Sequence, residues 1–250
     1  MNKLKISVIV PFYNTPIKYF KECLDGLKSL NPYEVILIDD CSTNENTINE
    51  AVNSGFKYLK TPYQSGYDGL PLNIGVQAAK GDYICRIDSD DILLELPTSM
   101  NTDICFGKQD RIMPTTKLTL EELILGPRAI CNALVAKKEI FLKHPFATDS
   151  NVYGDILFVL QLLYNKYSFT TYPKINYIYS KRENSIQSSK TPLYHRLTHI
   201  QTVSRLCQVE NISHKESIHL LNLAMLNFKY GSKSLNYLKY KKGNKDVVSN

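Results

Sequence analysis

Three carboxylates within four residues are the feature of this sequence that most directly predicts chemistry. They lie in Asp88-Ser89-Asp90-Asp91, directly after a predicted strand over residues 83–87. Carboxylates this close repel one another, which raises their pKa values or recruits a cation. Mg²⁺ or Mn²⁺, held by one or two carboxylates and by substrate phosphates, suits such a group. The alternative is an acidic turn in which Asp90 or Asp91 only caps the next helix.

Two further polar groups follow predicted strands. Asp39-Asp40 comes after the apolar run 35–38, and Pro11-Phe12-Tyr13-Asn14 comes after the apolar run 6–10. An aromatic ring at Tyr13 can stack on a nucleotide base, and a neighbouring carboxylate can accept the imide hydrogen of that base. Each group also has a purely structural explanation, because an acidic doublet is more often a helix cap or a solvated turn.

The elements around these groups predict where they meet. Strand and helix patterns alternate over the first hundred residues, which predicts an open α/β sheet with mostly parallel strands. Ligands of such sheets bind at the carboxyl ends of the strands, so we expect the three polar groups to converge at one rim. Finer predictions are a Thr15 cap for a helix beginning at Pro16, a loop over 66–71, a helix over 73–79 and a strand over 129–135.

Length and composition exclude several classes of protein. The 250 residues are 43% hydrophobic and 22% charged, as in ordinary globular domains. No run approaches the roughly 18 to 20 apolar residues of a membrane span. The N-terminal stretch resembles a strand rather than a signal peptide, which predicts a cytoplasmic protein. The 6 cysteines lack zinc spacing and are expected to be reduced, mostly buried thiols.

The formal net charge of +6 conceals an asymmetry along the chain. Residues 1–100 contain 9 Lys and Arg against 13 Asp and Glu, whereas residues 101–250 contain 21 against 11. The acidic half can attract a cation, and the basic half an anionic partner. The basic C-terminal tail is expected to form a solvated helix, to contact the anionic inner face of the membrane, or to contact nucleic acid. Its basic residues are Lys229, Lys233, Lys239, Lys241, Lys242 and Lys245.

Four linked motifs resemble one family in both order and spacing. They are Val8–Asn14, Val35–Thr43, Asn73–Ile84 and Asp88–Asp91, and the family is that of the family 2 glycosyltransferases. The resemblance implies an α/β fold with a single Rossmann-like glycosyltransferase A domain, a central mostly parallel sheet and a helical C-terminal tail. It further implies a nucleotide-sugar-binding half (1–97), an acceptor-binding half (98–190) and a helical basic extension (191–250).

The resemblance also implies a role for each matching residue. Asp90 would bind the Mn²⁺ or Mg²⁺ ion that bridges the donor diphosphate, and Asp88 would contact the ribose or the same ion. Pro11 and Tyr13 would line the base, with Asp40 hydrogen-bonded to it. Asp155 would be the general base of an inverting transfer from a nucleotide-sugar donor, which we expect to be UDP-linked.

The sequence departs from the family pattern at two places. Leu72 precedes Asn73 in the donor-binding motif where an arginine is common, so Arg86, Lys181 or Arg182 would contact the diphosphate instead. Gly154 precedes Asp155 where a glutamate is usual. The chain has no tryptophan, which excludes the Q-x-x-R-W signature of processive synthases and predicts the addition of a single sugar.

The acceptor that we expect is a glycan or a lipid-linked acceptor in the synthesis of a surface polysaccharide or lipooligosaccharide. One alternative is a glycosyltransferase acting on a hydroxylated DNA base, which the basic half would allow. Another is a phosphatase of the haloacid dehalogenase type, because Asp88–Ile92 superficially matches its nucleophile loop. A pure binding module, in which the acidic rim has no catalytic role, is the last alternative.

Overall fold

The computed structural model describes residues 3–109, 118–126, 131–149, 152–180 and 191–230. The strands are β1 (Ile6–Phe12), β2 (Glu34–Asp39), β3 (Lys57–Lys60), β4 (Tyr83–Arg86), β5 (Ile92–Leu93), β6 (Ile104–Phe106), β7 (Val135–Lys137), β8 (Phe169–Thr171) and β9 (Tyr177–Ile178). The helices are α1 (Ile17–Leu30), α2 (Glu45–Val52), α3 (Gly69–Ala78), α4 (Leu120–Leu125), α5 (Lys138–Lys143), α6 (Gly154–Tyr164), α7 (Pro192–Val209) and α8 (His214–Tyr230).

Seven strands form one sheet in the order β3-β2-β1-β4-β7-β6-β8. The pairs among β3, β2, β1 and β4 are parallel, whereas β7 runs antiparallel to both β4 and β6. Strands β5 and β9 pair separately as a small antiparallel ribbon. The parallel half is the α/β architecture that the alternating pattern predicts.

The central strands are buried on both faces, which explains their continuous apolar sequences. In β1, Ile9 packs into one hydrophobic cluster while Val8 and Val10 pack into the other. The first cluster includes residues of α3, α4, α6, α7 and α8, and the second includes residues of α1. The sheet therefore separates two cores and fixes the direction in which its strand ends point.

Two predicted boundaries in the first hundred residues were wrong. Helix α1 begins at Ile17 after Pro16, and Thr15 does not cap it, because the Thr15 hydroxyl is buried against the Ser89 hydroxyl at 2.7 Å. The predicted loop 66–71 ends early, since α3 begins at Gly69. Pro71 is tolerated there because the first turn of a helix leaves N–H groups without intrahelical partners.

The predicted strand over 129–135 was also wrong in most of its described part. Strand β7 begins only at Val135, and residues 131–134 form a turn in which Ala133 has a φ of 53°. A left-handed residue cannot continue an extended strand. This turn places Asn132 beside the end of β4, with consequences for the site described below.

The last described segment is helical, as predicted. Helices α7 and α8 pack against each other and against α6 and α4. The Ser213 hydroxyl accepts from the Glu216 N–H at 3.4 Å at the start of α8. Among the described helices, none is long and apolar enough to cross a membrane. The six cysteines are free thiols, four of them buried, which confirms that prediction.

Candidate active site

The ends of β1, β2 and β4 meet at one rim of the sheet. Asn14, which follows β1, clamps the turn after β2, because its side-chain oxygen accepts from the N–H groups of Thr43 and Asn44, both at 2.8 Å. The Thr15–Ser89 hydroxyl pair joins the β1 exit to the acidic segment after β4. Residues distant in sequence are therefore neighbours at this rim.

Asp40 is buried beneath a loop rather than open to the rim. Only 4% of it is exposed, and its oxygens accept from the N–H groups of Ser65 (3.0 Å) and Gly66 (3.0 Å) and from the Thr61 hydroxyl (3.1 Å). Asp39 is likewise engaged, by the Ser42 N–H and the Tyr58 hydroxyl. The acidic doublet thus anchors the loops that border the rim.

Tyr13 and Pro11 differ in how they meet the rim. Tyr13 is 43% exposed, so its ring is accessible for stacking, whereas Pro11 is buried within β1. Asn73 lies in α3, and its side-chain amide donates to the Phe146 carbonyl and accepts from the Phe146 N–H, both at 2.9 Å. Its side chain therefore ties α3 to the segment before α6. Lys181 and Arg182 lie outside the described residues.

Arg86 is the centre of a charged network at the end of β4. Its guanidinium is nearly buried and donates from Nη2 to Asp68 and Asp88, both at 2.7 Å, and from Nη1 to Asn132 at 2.6 Å. Burial alone would lower the pKa of Arg86, but the Asp88 and Asp68 carboxylates keep that pKa above its ordinary value. The arginine is therefore a permanent cation among these carboxylates.

The acidic motif itself is divided between differently placed carboxylates. Asp88 and Asp90 are half-buried, whereas Asp91 is fully buried. Asp91 accepts from the Ser180 N–H at 2.9 Å and from the Asn132 amide at 2.8 Å. Burial, followed by the charge of Asp88, raises the pKa of Asp91 to about 8. Asp91 is thus an internal part of the network, and Asp88 and Asp90 are the carboxylates accessible at the rim.

Asp155 stands in the first turn of α6, close enough to this network to respond to its charges. It is half-buried, and one of its oxygens accepts from the Ile156 N–H at 2.8 Å. Burial raises the pKa of Asp155 to about 6; Arg86 opposes the rise, and Asp68 adds to it. A carboxylate with a pKa near 6 is mostly ionised at neutral pH and can accept a proton.

Helix α7 supports the segment that contains Asp155. The Tyr153 hydroxyl is hydrogen-bonded to His195 Nδ1, and the Tyr153 N–H donates to the Thr202 hydroxyl at 2.9 Å. Gly69, at the start of α3, lies directly against the same region, because a Cβ there would be 1.9 Å from the Ala147 carbonyl oxygen. The start of α3 and the segment that precedes α6 are therefore in tight backbone contact.

The residues at the rim fit a divalent cation only in combination with a ligand. Within the described parts of the chain, no three His, Cys, Asp or Glu side chains form a group able to bind a metal. Two accessible carboxylates are nevertheless the usual protein contribution to Mg²⁺ sites in which substrate phosphates supply further oxygens. The two accessible carboxylates, Asp88 and Asp90, thus fit an ion that binds together with a diphosphate.

Two residues of the network, Asp68 and Asn132, are absent from the sequence predictions. Asp68 lies in the stretch predicted as a loop, and Asn132 in the stretch predicted as a strand. We find no sequence signal for either residue, because the predicted helix begins only at residue 73, five residues after Asp68. Both are brought to Arg86 by tertiary contacts.

Comparison with known proteins agrees with this geometry. Residues 7–96 match the model of the family described as Glycosyl transferase family 2. The glycosyltransferase GlyG of Streptococcus pneumoniae is 39% identical over 95 residues, which are 36% of this chain and 31% of GlyG. The poly(ribitol-phosphate) beta-N-acetylglucosaminyltransferase TarS of Staphylococcus aureus is 34% identical over 99 residues, 36% of this chain and 17% of TarS. The chain spans less than a third of the length of either relative.

Solved structures extend the likeness beyond the first hundred residues. The S. aureus TarS fragment 1–349 in complex with UDP-GlcNAc matches with a TM-score of 0.68 at 22% identity, over 92% of this chain and 74% of that one. Glucosyl-3-phosphoglycerate synthase from Mycobacterium tuberculosis, in complex with Mn²⁺, UDP and glucosyl-3-phosphoglycerate, matches with a TM-score of 0.60 at 18% identity, over 83% and 81%. At these identities the likeness concerns the fold.

Fold and rim together define an α/β domain of the glycosyltransferase A class, and the predicted fold class is confirmed. Residues 7–96 are similar to glycosyltransferase family 2, the family that the motifs resemble. These matches give the phosphatase alternative no support.

Proposed function

We propose that the chain is a divalent-metal-dependent, inverting glycosyltransferase. It would move one sugar from a UDP-linked donor to a hydroxyl of a glycan acceptor in surface polysaccharide or lipooligosaccharide synthesis. The observation that supports this most is that Gly69 and Gly154 both lie against the Ala147 carbonyl oxygen, which is 1.9 Å and 3.6 Å from a Cβ added at each. Gly69 directly follows Asp68, and Gly154 directly precedes Asp155. Asp155 and Asp88 are 67 residues apart, yet the fold puts a proton acceptor beside an acidic rim suited to a metal and a diphosphate.

The donor nucleotide would bind across the ends of β1, β2 and β4. In this proposal the exposed Tyr13 ring stacks on the base beside Pro11, and Asp40 supports the base pocket by anchoring Ser65 and Gly66. Asp88 contacts the ribose or the metal. Asn73 contributes indirectly, since its side chain is bonded to Phe146. The UDP-GlcNAc complex of the TarS fragment supports uridine as the nucleotide.

Asp90, with Asp88, would bind Mn²⁺ or Mg²⁺ together with the donor diphosphate. When bound, such an ion neutralises the charge that develops on the departing nucleoside diphosphate. The Mn²⁺ and UDP in the structurally similar synthase support this assignment. Arg86 is already paired with Asp68 and Asp88, so it is disfavoured as the only side chain that neutralises the diphosphate. Arg182 or Lys181 keeps that predicted role.

Asp155 would act as the general base. Its carboxylate takes the proton of the acceptor hydroxyl while that oxygen forms a bond to the anomeric carbon and the bond to the diphosphate oxygen breaks. One displacement of this kind inverts the anomeric configuration, and the leaving group is the nucleoside diphosphate. The pKa of about 6 keeps Asp155 ionised near neutral pH.

We also propose roles for the three parts of the chain. Residues 1–97 bind the donor, 98–190 bind the acceptor, and 191–250 form a basic extension that contacts the anionic inner face of the membrane from the cytoplasm. The name of TarS, a poly(ribitol-phosphate) transferase, supports a polymeric, surface-associated acceptor. Helix α8 supports the membrane contact, because Ile218 and Met225, two helical turns apart on one face, are 48% and 51% exposed.

A thermal-shift measurement tests the donor site. UDP with Mn²⁺ should raise the melting temperature by mass action, and EDTA should abolish the shift. GDP and ADP with Mn²⁺ are the matched controls for the uridine assignment. No shift with any nucleoside diphosphate would contradict the proposed function.

A further inference from the structure

The side chain of Asn132 lies among charged groups and uses both of its donors and one acceptor position on them. Its oxygen accepts from Arg86 Nη1 at 2.6 Å, and its nitrogen donates to Asp88 Oδ2 at 2.7 Å and to Asp91 Oδ2 at 2.8 Å. The opposite amide orientation would point the NH₂ group at a guanidinium and the oxygen at two carboxylates. Asn132 therefore has one orientation, set by its neighbours.

The same contacts fix the orientation of Asp88. Its Oδ1 accepts from Arg86 Nη2 at 2.7 Å, and its Oδ2 accepts from Asn132. An ionised carboxylate offers about four lone-pair positions, so Asp88 can still receive a ligand. That ligand must approach from the directions that Arg86 and Asn132 leave open.

The backbone around Asn132 is tied to the strand that precedes the acidic motif. The Ala133 N–H donates to the Arg86 carbonyl at 2.8 Å, and the Arg86 N–H donates to the Leu134 carbonyl at 3.4 Å. Gly107 permits this approach, because a Cβ there would lie 2.5 Å from the Asn132 carbonyl oxygen. Asn132 and Arg86 therefore lie on two segments whose backbones are hydrogen-bonded to each other.

The neutrality of the Asn132 amide also suits this position. It bridges two carboxylates by hydrogen bonds without adding positive charge, whereas a lysine or arginine would neutralise them. Arg86 already supplies one cation against Asp68 and Asp88. A neutral bridge leaves the rim with the surplus negative charge that attracts a divalent cation.

We propose that Asn132 is a positioning residue of the donor site, which orients Asp88 and Asp91 so that Asp88 and Asp90 can meet the donor diphosphate and its cation. This inference rests on the proposed function. Substitution of a residue that orients a metal-binding carboxylate typically lowers metal affinity by roughly 10- to 100-fold.

The test is the affinity of the full chain for Mn²⁺ in the presence of saturating UDP, measured by titration calorimetry and by the electron paramagnetic resonance signal of free Mn²⁺. Asn132→Leu keeps the approximate size of the side chain and the charge of the rim but removes both donors and the acceptor. We expect this variant to bind Mn²⁺ roughly 10- to 100-fold more weakly than the wild type. Asn132→Ser, which retains one donor, should fall between them and replaces Asn132→Leu if that variant does not fold.

Asn165→Leu is the matched control. Asn165 also donates to a carboxylate, Glu210, at 2.9 Å, but it lies beyond α6 and outside the described network. Its substitution should lower the melting temperature without changing Mn²⁺ affinity. Folded Asn132 variants with wild-type Mn²⁺ affinity would overturn the inference. A wild type that binds neither UDP nor Mn²⁺ would instead refute the proposed function.

Discussion

Asp155 combines accessibility with a pKa displaced toward neutrality. Because the base must be ionised, and because burial raises its pKa to about 6, kcat/KM should rise with pH and reach half its plateau near that value. Asp155→Asn should remove this dependence and lower kcat by roughly 100- to 10,000-fold. Pre-steady-state and pH-rate measurements with a nucleotide-sugar donor check both results.

Donor binding provides the control for that experiment. Asp155→Asn should leave the UDP- and Mn²⁺-induced thermal shift intact, because Asp155 is not among the proposed donor ligands. A variant that transfers sugar at the wild-type rate would refute Asp155 as the base. A variant that loses donor binding as well would assign Asp155 to the donor site.

Asp40 makes a separate prediction at the residue scale. The Asp40 carboxylate accepts hydrogen bonds from the N–H groups of Ser65 and Gly66. Asp40→Asn replaces one carboxylate oxygen by an NH₂ group, which cannot accept them. We expect a lower melting temperature and an equal loss of UDP and CDP affinity, since the loop that borders the base is disturbed. Parallel titrations with the two nucleotides measure this.

The nucleotide comparison separates two roles of Asp40. An equal loss identifies a loop anchor. A selective loss of UDP affinity, with CDP retained, would contradict the anchoring role alone and identify Asp40 as the group that accepts the imide hydrogen of the base.

At the scale of elements, helix α3 depends on one close backbone contact. A Cβ at Gly69 would lie 1.9 Å from the Ala147 oxygen and 2.8 Å from the Ala147 carbonyl carbon. Gly69→Ala should therefore shift the start of α3, together with Asp68, and lower the free energy of unfolding by about 1–3 kcal/mol. Urea unfolding measures the loss, and UDP affinity reports the displacement of Asp68.

Gly154→Ala is the matched control for Gly69→Ala. Both glycines are the first residue of their helix, so the effect of alanine on helix propensity is similar. At Gly154, however, the nearest atom to an added Cβ is 3.6 Å away. Equal destabilisation by the two substitutions would show that the Ala147 contact is unimportant.

The elements also explain which parts of the site could be predicted from the sequence. Strands β1, β2 and β4 have largely apolar sequences and end in recognisable polar groups, so Tyr13 and Asp88 were predictable at one rim. The burial of Asp40 beneath the loop that contains Ser65 and Gly66 was not. Asn132 was not predictable either, because it precedes an antiparallel strand and its position depends on the left-handed Ala133. The start of α3 was misplaced because Pro71 suggested a loop.

At the scale of the whole molecule, the charge asymmetry predicts membrane contact. The full chain should float with vesicles that contain phosphatidylserine. With neutral vesicles it should stay unbound at the bottom of the gradient. Each basic side chain near an anionic surface contributes about 1 kcal/mol, so Lys→Gln at 239, 241 and 242 should weaken flotation strongly, and added salt should do the same.

Lys→Gln at Lys18, Lys60 and Lys80 is the control, because it removes the same charge from the acidic half. Equal weakening by both triple variants would contradict a localised surface. Salt-dependent retention on DNA without flotation would favour the nucleic-acid alternative for the basic extension.

The reversed direction of β7 has a consequence for how this domain can diversify. Chain that leaves β4 and chain that enters β7 arrive at the same rim, since the two strands are antiparallel. The Ala133 N–H and the Leu134 carbonyl are bonded to Arg86, so an insertion directly before Val135 would displace Asn132. An insertion before Cys131 would leave these bonds in place and would add new surface beside the proposed donor site.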